Sequence, residues 1–306
     1  MCQLRFRPIK LEDRDVIFPL IYQDDKAICD LAFTNLYGWS ERYETSWTIF
    51  QERVLIIRFR SPLRSHPVFL LPYCTERTLW QEAINELIHY AEKEGFPLVC
   101  MGVTEGCAKS VEQDFGQDFQ FFWDENYADY VYLRERLISL SGKKLQSKRN
   151  HINKFKKLYP DYTYRPFTPD QKDLYKDFAD QWLDDTTQRD GIQEENRMVH
   201  RILDACEALE LQGGALWIEG KIVAMTLGSP INHNTFDVHV EKANPAIEGA
   251  YTVINNEFAK QIPEQYIYIN REEDLGIPGL RFAKESYQPE LRLYKGTALL
   301  RRHAQV

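Results

Sequence analysis

One stretch, residues 213–289, constrains the fold of this chain more than any other. Two apolar runs, at 215–218 and 222–227, flank a Glu-Gly-Lys turn at 219–221, and this pattern is typical of a β-hairpin. A third apolar run, at 235–240, follows a polar turn and predicts another strand. The stretch therefore begins with three consecutive strands.

The remainder of the stretch predicts a helix, a strand and a second helix. Apolar spacing at 253–258 suits a helix that begins after the Gly249-Ala250 pair, residues 265–269 suit a strand, and residues 280–284 suit a shorter helix. The predicted order is thus strand, strand, strand, helix, strand, helix.

The same order of six elements recurs between residues 48 and 115, as a repeat of architecture and not of residues. Two similar α/β modules are therefore expected, residues 1–125 and 126–306, the second carrying the active site. The connection near 122–126 is short and not rich in Gly or Ser, so the modules are expected to pack together.

Composition narrows the class of protein. The chain has 306 residues, 27% of them charged, and a formal net charge of −8. It has no transmembrane-length apolar run and no signal-peptide core at its start, so we expect a cytoplasmic protein. An acidic chain binds a polyanion only through a local basic patch.

Several common kinds of site are missing from the sequence. The six cysteines form no C-x-x-C pair, and the seven histidines form no close ligand pair, so reduced thiols and no metal site are expected. Motifs for a P-loop, a dinucleotide fold and a nucleophile elbow are also absent. These absences argue against a nucleotide kinase, a Rossmann dehydrogenase and an α/β-hydrolase.

The third strand of the stretch carries polar residues that suit acid–base chemistry. Because side chains alternate along a strand, Asp237, His239 and Glu241 are predicted to share one face. A carboxylate beside an imidazole tunes its pKa and fixes its tautomer, so this triplet is a candidate for general-base catalysis. An ordinary half-exposed sheet face is the alternative interpretation.

Four segments resemble a known bacterial family. They are GKKLQSKRNHINKF at 142–155, VHVEKA at 238–243, EGAYTVINNEF at 248–258 and YINREEDLGIPGLRFAKESYQP at 268–289. Together they resemble the C-terminal domain of phosphatidylglycerol lysyltransferases, a family similar to GNAT-type acyltransferases and Fem-type aminoacyltransferases. The resemblance implies two tandem GNAT-like modules, each a mixed, mostly antiparallel twisted sheet flanked by helices.

The resemblance also implies where a donor molecule binds. In GNAT-like folds the third and fourth core strands splay apart, and the donor pyrophosphate lies at the N-terminus of the helix that follows. Unpaired N–H groups and the helix dipole favour an anion there. That turn corresponds to Gly249, Ala250 and Tyr251. The usual acetyl-CoA motif is not matched, and Glu248 is an unfavourable charge for a pyrophosphate, which leaves room for an aminoacyl-tRNA donor.

A basic segment without acidic residues spans 142–157. Ile152 and Phe155 predict a helix with one apolar stripe and a basic face. Such a face would hold the phosphates of a carrier, a tRNA backbone or anionic lipid head groups. A solvated charged surface is the alternative. The donor-binding candidates in this segment are Lys143, Lys144, Lys148 and Arg149.

An acidic loop follows the last long strand. Its carboxylates would bind an ammonium group of the acceptor or of an aminoacyl moiety, whereas a charged turn is the simpler interpretation. The acceptor-binding candidates are Asn270, Glu272, Glu273, Asp274 and Lys284, with Lys284 as a partner for the loop or for a phosphate.

These observations predict an acyl- or aminoacyltransferase. It would move a group from acyl-CoA or aminoacyl-tRNA, as a co-substrate and not as a permanently bound cofactor, to an amine or hydroxyl acceptor. The acceptor would be a small molecule or a lipid head group at a membrane surface, with tRNA as a second partner. A non-catalytic module of the same fold that binds a phosphorylated metabolite or nucleic acid is the rival hypothesis.

Overall fold

The computed structural model describes residues 4–23, 28–62, 64–185 and 191–301. These residues form two seven-stranded sheets. In spatial order, the first sheet contains β1 (Arg7–Pro8), β2 (Ser46–Phe50), β3 (Val54–Phe59), β4 (Val68–Leu70), β5 (Val99–Val103), β14 (Gly296–Leu300) and β6 (Phe119–Trp123). The second contains β8 (Thr163–Pro166), β9 (Gln212–Ile218), β10 (Lys221–Pro230), β11 (Thr235–Ala243), β12 (Tyr268–Asn270), β7 (Asp129–Leu133) and β13 (Leu291–Leu293).

Eleven α-helices accompany these sheets in the described residues. They are α1 (Arg14–Tyr22), α2 (Phe33–Gly38), α3 (Ser40–Tyr43), α4 (Arg77–Glu94), α5 (Glu105–Phe115), α6 (Arg134–Ser139), α7 (Gln146–Leu158), α8 (Lys172–Asp185), α9 (Ile192–Asp204), α10 (Ala250–Gln261) and α11 (Pro278–Glu285). Short 3-10 turns lie at Leu11–Asp13, Cys29–Leu31, Glu125–Tyr127, Lys143–Leu145 and Pro169–Gln171.

The two sheets share one topology. Their only parallel pairs among the described residues are β4 with β5 and β11 with β12, and every other pairing is antiparallel. A helix, α4 or α10, connects the strands of each parallel pair, as a parallel crossover requires. The predicted pair of mixed, mostly antiparallel modules is confirmed.

The modules exchange one strand each. β14, near the end of the chain, lies between β5 and β6 of the first sheet, and β7 takes the equivalent place between β12 and β13 of the second. The sequence analysis assigned residues 126–306 to the second module, whereas residues 296–300 of that range pair in the first sheet. The strand has two antiparallel neighbours there, which satisfy its backbone groups on both sides.

Three apolar cores hold the elements together. One lies between the first sheet and α4–α5, and another between the second sheet and α6, α7 and α10. The third contains residues of both sheets and of α1, α2, α8 and α9, for example Trp47 and Leu55 from the first module and Val199 and Leu227 from the second. The modules are therefore packed against each other through a shared core.

Local predictions hold where the pattern is strong. The hairpin is β9–β10, the basic segment contains α7, and the helix after the Gly-Ala pair is α10. The strand predicted at 265–269 is shorter and later, because Pro263 begins a turn in which the Tyr266 N–H donates to the Pro263 carbonyl at 3.1 Å.

Candidate active site

The second sheet splits where β11 and β12 part. Their pairing covers only Thr235 to Asp237 against Tyr268 to Asn270. β11 then continues to Ala243, while the chain after Asn270 exchanges backbone hydrogen bonds with Tyr130. Side chains span the resulting split: His239 Nδ1 lies 3.2 Å from Glu272 Oε1, and Arg271 bonds Glu241 at 2.8 Å.

A β-bulge corrects the predicted arrangement of the acid–imidazole–acid triplet. Leu227 pairs with Val240 but its neighbour Gly228 pairs with Val238, so His239 is an extra residue on β11. The bulge reverses the alternation: Val238 packs in the core beside α10, and Val240 packs in the core shared by the two modules. Asp237 and Glu241 therefore lie on opposite faces.

His239 lies on the side of the split that faces the first module. Its Nε2 is 2.8 Å from Ser229 Oγ, which is 2.7 Å from Thr34 Oγ1 on α2. Its Nδ1 is 3.4 Å from Asp237 Oδ2, and Asn35 donates to Glu272 Oε1 at 2.7 Å. Both modules thus contribute side chains to one buried polar cluster.

Asp237 has an unusual environment. It is completely buried, and neither carboxylate oxygen has a hydrogen-bond donor among the described residues. Burial, followed by the charges of Glu272 and Asp129, raises the pKa of Asp237 well above its ordinary value. A carboxylate in such a place needs a proton or another cation.

Glu241 lies on the other side of the split, beside α7 and α10. It accepts a hydrogen bond from Asn255 at 3.1 Å besides its pair with Arg271, whose guanidinium stacks 5.0 Å from the Tyr287 ring. Lys148 Nζ lies 4.0 Å from the same ring. Burial, together with the charge of Arg271 and despite Glu241, lowers the pKa of Lys148 to about 8.

The N-terminus of α10 lies against the basic helix. Gly249 has a φ of +86°, and a Cβ there would come within 3.1 Å of the His151 carbonyl on α7. Glu248 pairs with Lys154 of α7 at 2.6 Å, so the charge that disfavours a pyrophosphate is neutralised. Ala250 is buried and Tyr251 is exposed.

The other basic candidates differ in their surroundings. Lys143 and Lys144 are exposed in the turn before α7. Arg149 instead donates to the carbonyls of Leu140 and Gly142, which closes the end of α6. Of the four predicted basic donor-binding residues, Lys148 lies beside the split.

Polar side chains of the acidic loop form hydrogen bonds with neighbouring residues. Asn270 donates to Asp129 at 2.9 Å, and Asp274 accepts from Tyr130 at 2.6 Å and from Arg281 at 2.7 Å. Lys284 donates to the carbonyls of Arg271 and Glu273, so it partners the backbone of the loop. The loop therefore presents Glu272, at the split, and not a row of free carboxylates.

Glu273 belongs to a second buried cluster around Lys295. The ammonium of Lys295 contacts Glu273, Asp129 at 2.7 Å and Asp30 at 2.6 Å, and it lies 3.4 Å from Cys29 Sγ. Although burial opposes the charged form, Asp129 and Asp30 hold the pKa of Lys295 well above its ordinary value. Burial, together with Asp129 and against Lys295, raises the pKa of Glu273 to about 7.

Comparison with known proteins places the chain in a family. The model of the family described as "Phosphatidylglycerol lysyltransferase, C-terminal" matches residues 25–295. The chain belongs to this family. Within the part of the chain that the structure describes, no helix has both the length and the apolar character needed to cross a bilayer.

Solved structures agree with this placement. A conserved protein of unknown function from Bacteroides thetaiotaomicron is 44% identical, with a TM-score of 0.92 over 97% of this chain and 99% of its own. The C-terminal domain of a protein assigned as a lysylphosphatidylglycerol synthetase from Agrobacterium fabrum is 12% identical, with a TM-score of 0.68 over 95% and 92%. A tandem GNAT protein from the clavulanic acid pathway, 11% identical, reaches 0.50 over 98% and 99%.

A curated relative matches a shorter part of this chain than the solved structures do. An uncharacterised protein of Mycoplasmoides gallisepticum is 24% identical over 167 residues, and the chain spans about half the length of that relative. The comparisons thus establish the family and its GNAT-like fold.

Sequence reasoning missed several residues of the two clusters. Arg271, Asp129, Asn35, Ser229 and Lys295 were not predicted. Asn35 and Ser229 lie more than 30 residues from Glu272 in the chain, so no local spacing indicates their contact. An isolated lysine before an apolar strand likewise gives no sign of burial.

Proposed function

We propose that this chain transfers an aminoacyl or acyl group to an amine or hydroxyl acceptor at the split between β11 and β12. The observation that carries the proposal is the grouping of Glu241, Lys148 and Arg271 on one side of the split. A proton acceptor there lies beside two cations and next to the N-terminus of α10. The family's name supports the reaction class, with a lipid head group as acceptor.

The cations suit an anionic donor. Lys148 and Arg271 together exceed Glu241 by one positive charge, and Arg271 Nη1 is buried without a hydrogen-bond partner among the described residues. A phosphate, or the oxyanion that forms when an ester is attacked, would supply acceptor oxygens for both. The exposed lysines 143 and 144 would extend this contact along the phosphates of a carrier or a tRNA end.

Glu241 is the better general base of the predicted pair. The His239 side chain is fully buried and its Nε2 bonds Ser229, whereas Glu241 is 12% exposed. Glu241 would accept the proton of the acceptor nucleophile as it attacks the ester or thioester carbonyl. The new C–O or C–N bond forms, the bond to the carrier breaks, and the carrier leaves with the proton.

A transfer assay tests the proposal. Purified protein is incubated with labelled aminoacyl-tRNA or acyl-CoA and with vesicles that contain phosphatidylglycerol or with soluble amines, and label in the acceptor is measured. Glu241→Gln is expected to lower the rate by about 10²–10⁴-fold, the range for loss of a general base. Glu257→Gln, which changes a carboxylate of α10 paired with Lys260, is the matched control and should keep the rate.

Binding separates the two hypotheses. If charged tRNA or acyl-CoA raises the melting temperature but no acceptor becomes labelled under any donor, the chain is a binding module. If the donor binds and Glu241→Gln transfers as fast as the wild type, the assignment of the base is wrong.

A further inference from the structure

Buried oxygen atoms without donors collect on the side of the split that faces the first module. Both carboxylate oxygens of Asp237 and the Oδ1 of Asn35 are buried, and none has a hydrogen-bond partner within the described residues. Asp237 is inaccessible and Asn35 is 9% exposed. Unpaired buried acceptors are costly, so a group that accepts their lone pairs would stabilise this arrangement.

The nearest side chains offer further ligand atoms. His239 Nδ1 lies 3.4 Å from Asp237 Oδ2 and 3.2 Å from Glu272 Oε1, and one ligand atom from each of the three residues falls within 4.8 Å of the others. Zinc–nitrogen and zinc–oxygen bonds of about 2.0–2.2 Å in a tetrahedron place neighbouring ligand atoms about 3.4 Å apart. The two measured distances from His239 Nδ1, 3.4 Å and 3.2 Å, match the edges of such a site.

The contacts of His239 suit metal ligation. Its Nε2 is 2.8 Å from Ser229 Oγ, which in turn is 2.7 Å from Thr34 Oγ1. If Nε2–H donates to Ser229, whose hydroxyl donates to Thr34, the lone pair of the imidazole is on Nδ1 and points towards Asp237 and Glu272. Hydrogen bonding of the second ring nitrogen is the usual feature that orients a histidine ligand.

Charge also favours a cation here. The two neighbouring clusters contain five carboxyl groups, of Asp30, Asp129, Asp237, Glu272 and Glu273, and the one ammonium of Lys295. Lys295 contacts three of the five. Asp237 and Glu272 contact the imidazole of His239 and the neutral amide of Asn35. The other ammonium nearby, of Lys284, donates to the backbone carbonyls of Arg271 and Glu273.

We propose that Asp237, His239 and Glu272 form a site for one divalent transition-metal ion of the zinc type, with the Asn35 amide bonded to Glu272 beside them. Two carboxylates and an imidazole suit zinc or manganese better than the harder magnesium. Glu272, 22% exposed, provides access from solvent. The proposal departs from the expectation of no metal site, which rested on local ligand spacing, whereas Glu272 lies 33 residues from His239.

Metal binding by the full chain tests this proposal without any donor or acceptor, so its outcome is separate from that of the transfer assay. The protein is stripped with a chelator and titrated with ZnCl₂ in a calorimeter. We expect saturation at one zinc per chain and a higher melting temperature with zinc. Co²⁺ as a substitute ion should give the visible absorption of nitrogen and oxygen ligands, without the strong near-ultraviolet band of a thiolate ligand.

Variants locate the ion. Asp237→Asn and His239→Gln should each raise the Kd for zinc by at least about tenfold, the lower end of the effect of disturbing even the hydrogen bonds around a ligand. Asp237→Asn also removes a buried carboxylate without a donor, so without zinc it should melt no lower than the wild type. His200→Gln is the matched control, because His200 forms a surface imidazole–carboxylate pair with Asp180 at 2.8 Å.

The proposal would be overturned by no saturable zinc binding to the wild type or by unchanged affinity in folded Asp237→Asn. Loss of binding in His200→Gln, with binding kept in the two site variants, would also overturn it. A cobalt spectrum with thiolate character would also overturn it, by assigning the ion to cysteine.

Discussion

At the scale of single residues, Lys295 is expected to have a large effect on stability. Its ammonium is buried and is the shared partner of three carboxylates, and the residue lies directly before β14. Replacement by Met keeps most of the side-chain volume but removes the charge. We expect Lys295→Met to lower the free energy of unfolding by about 3–5 kcal/mol, as measured by urea denaturation, because breaking a buried ion cluster leaves uncompensated charge.

A surface lysine provides the comparison for Lys295. Lys260 pairs with Glu257 on α10 at a position 36% exposed, and exposed pairs contribute about 0–1 kcal/mol. The free energy of unfolding of Lys260→Met should therefore lie within about 1 kcal/mol of the wild-type value. Equal effects of the two substitutions would show that the Lys295 cluster contributes no more than a surface ion pair.

Lys148 predicts a pH limit for anion binding. Because its pKa is lowered to about 8, the ammonium is present below that pH and is lost above it. Binding of an anionic donor, measured by titration from pH 6.5 to 9.5, should therefore weaken as the pH rises through about 8. Lys148→Arg should move this limit upward, since a guanidinium stays protonated. A flat profile in the wild type would remove Lys148 from the donor site.

At the scale of elements, sequence patterns predicted what is local. Alternation and a glycine turn identify β9–β10, and helical spacing identifies α7 and α10, because each pattern depends on neighbours within a few residues. The bulge at His239 is different. It depends on pairing between β10 and β11, and it moves Glu241 to the face opposite Asp237, so the alternation pattern that selected the triplet predicted the wrong arrangement of its side chains.

The contact between α7 and α10 gives a prediction about Gly249. A methyl group there would meet the His151 carbonyl at 3.1 Å and Phe155 Cβ at 3.2 Å, and the φ of +86° is unfavourable for any other residue. We expect Gly249→Ala to lower the free energy of unfolding by about 1–3 kcal/mol in urea denaturation.

Gly279 is the control for Gly249. It lies in α11, and nothing is within 4 Å of the position that its Cβ would take. Gly279→Ala should leave the protein as stable or raise its stability by up to about 1 kcal/mol, because alanine favours a helix. If Gly249→Ala is as stable as Gly279→Ala, the close packing of α7 on α10 is not required.

The whole molecule depends on the two exchanged strands. The recurring order of elements predicted two modules correctly, since each module repeats the same local patterns. The exchange was not predicted, because β7 and β14 have apolar sequences that suit either sheet and only long-range pairing decides between them. The Lys295 cluster lies at this exchange, where Asp129 begins β7 and Lys295 precedes β14.

The exchange predicts that the first module cannot fold by itself. A fragment of residues 1–125 lacks β14, so β5 and β6 would have no strand between them, and residues such as Trp47 and Leu55 would lose the core shared with α8 and α9. We expect this fragment alone to show no cooperative unfolding transition by circular dichroism, because unpaired strands and exposed apolar surface are unfavourable in water. Coexpression with residues 126–306 should restore a soluble complex that unfolds in one transition, whereas coexpression with residues 126–290, which lack β13 and β14, should not. A cooperatively folded 1–125 fragment would show that the first sheet does not need the exchanged strand.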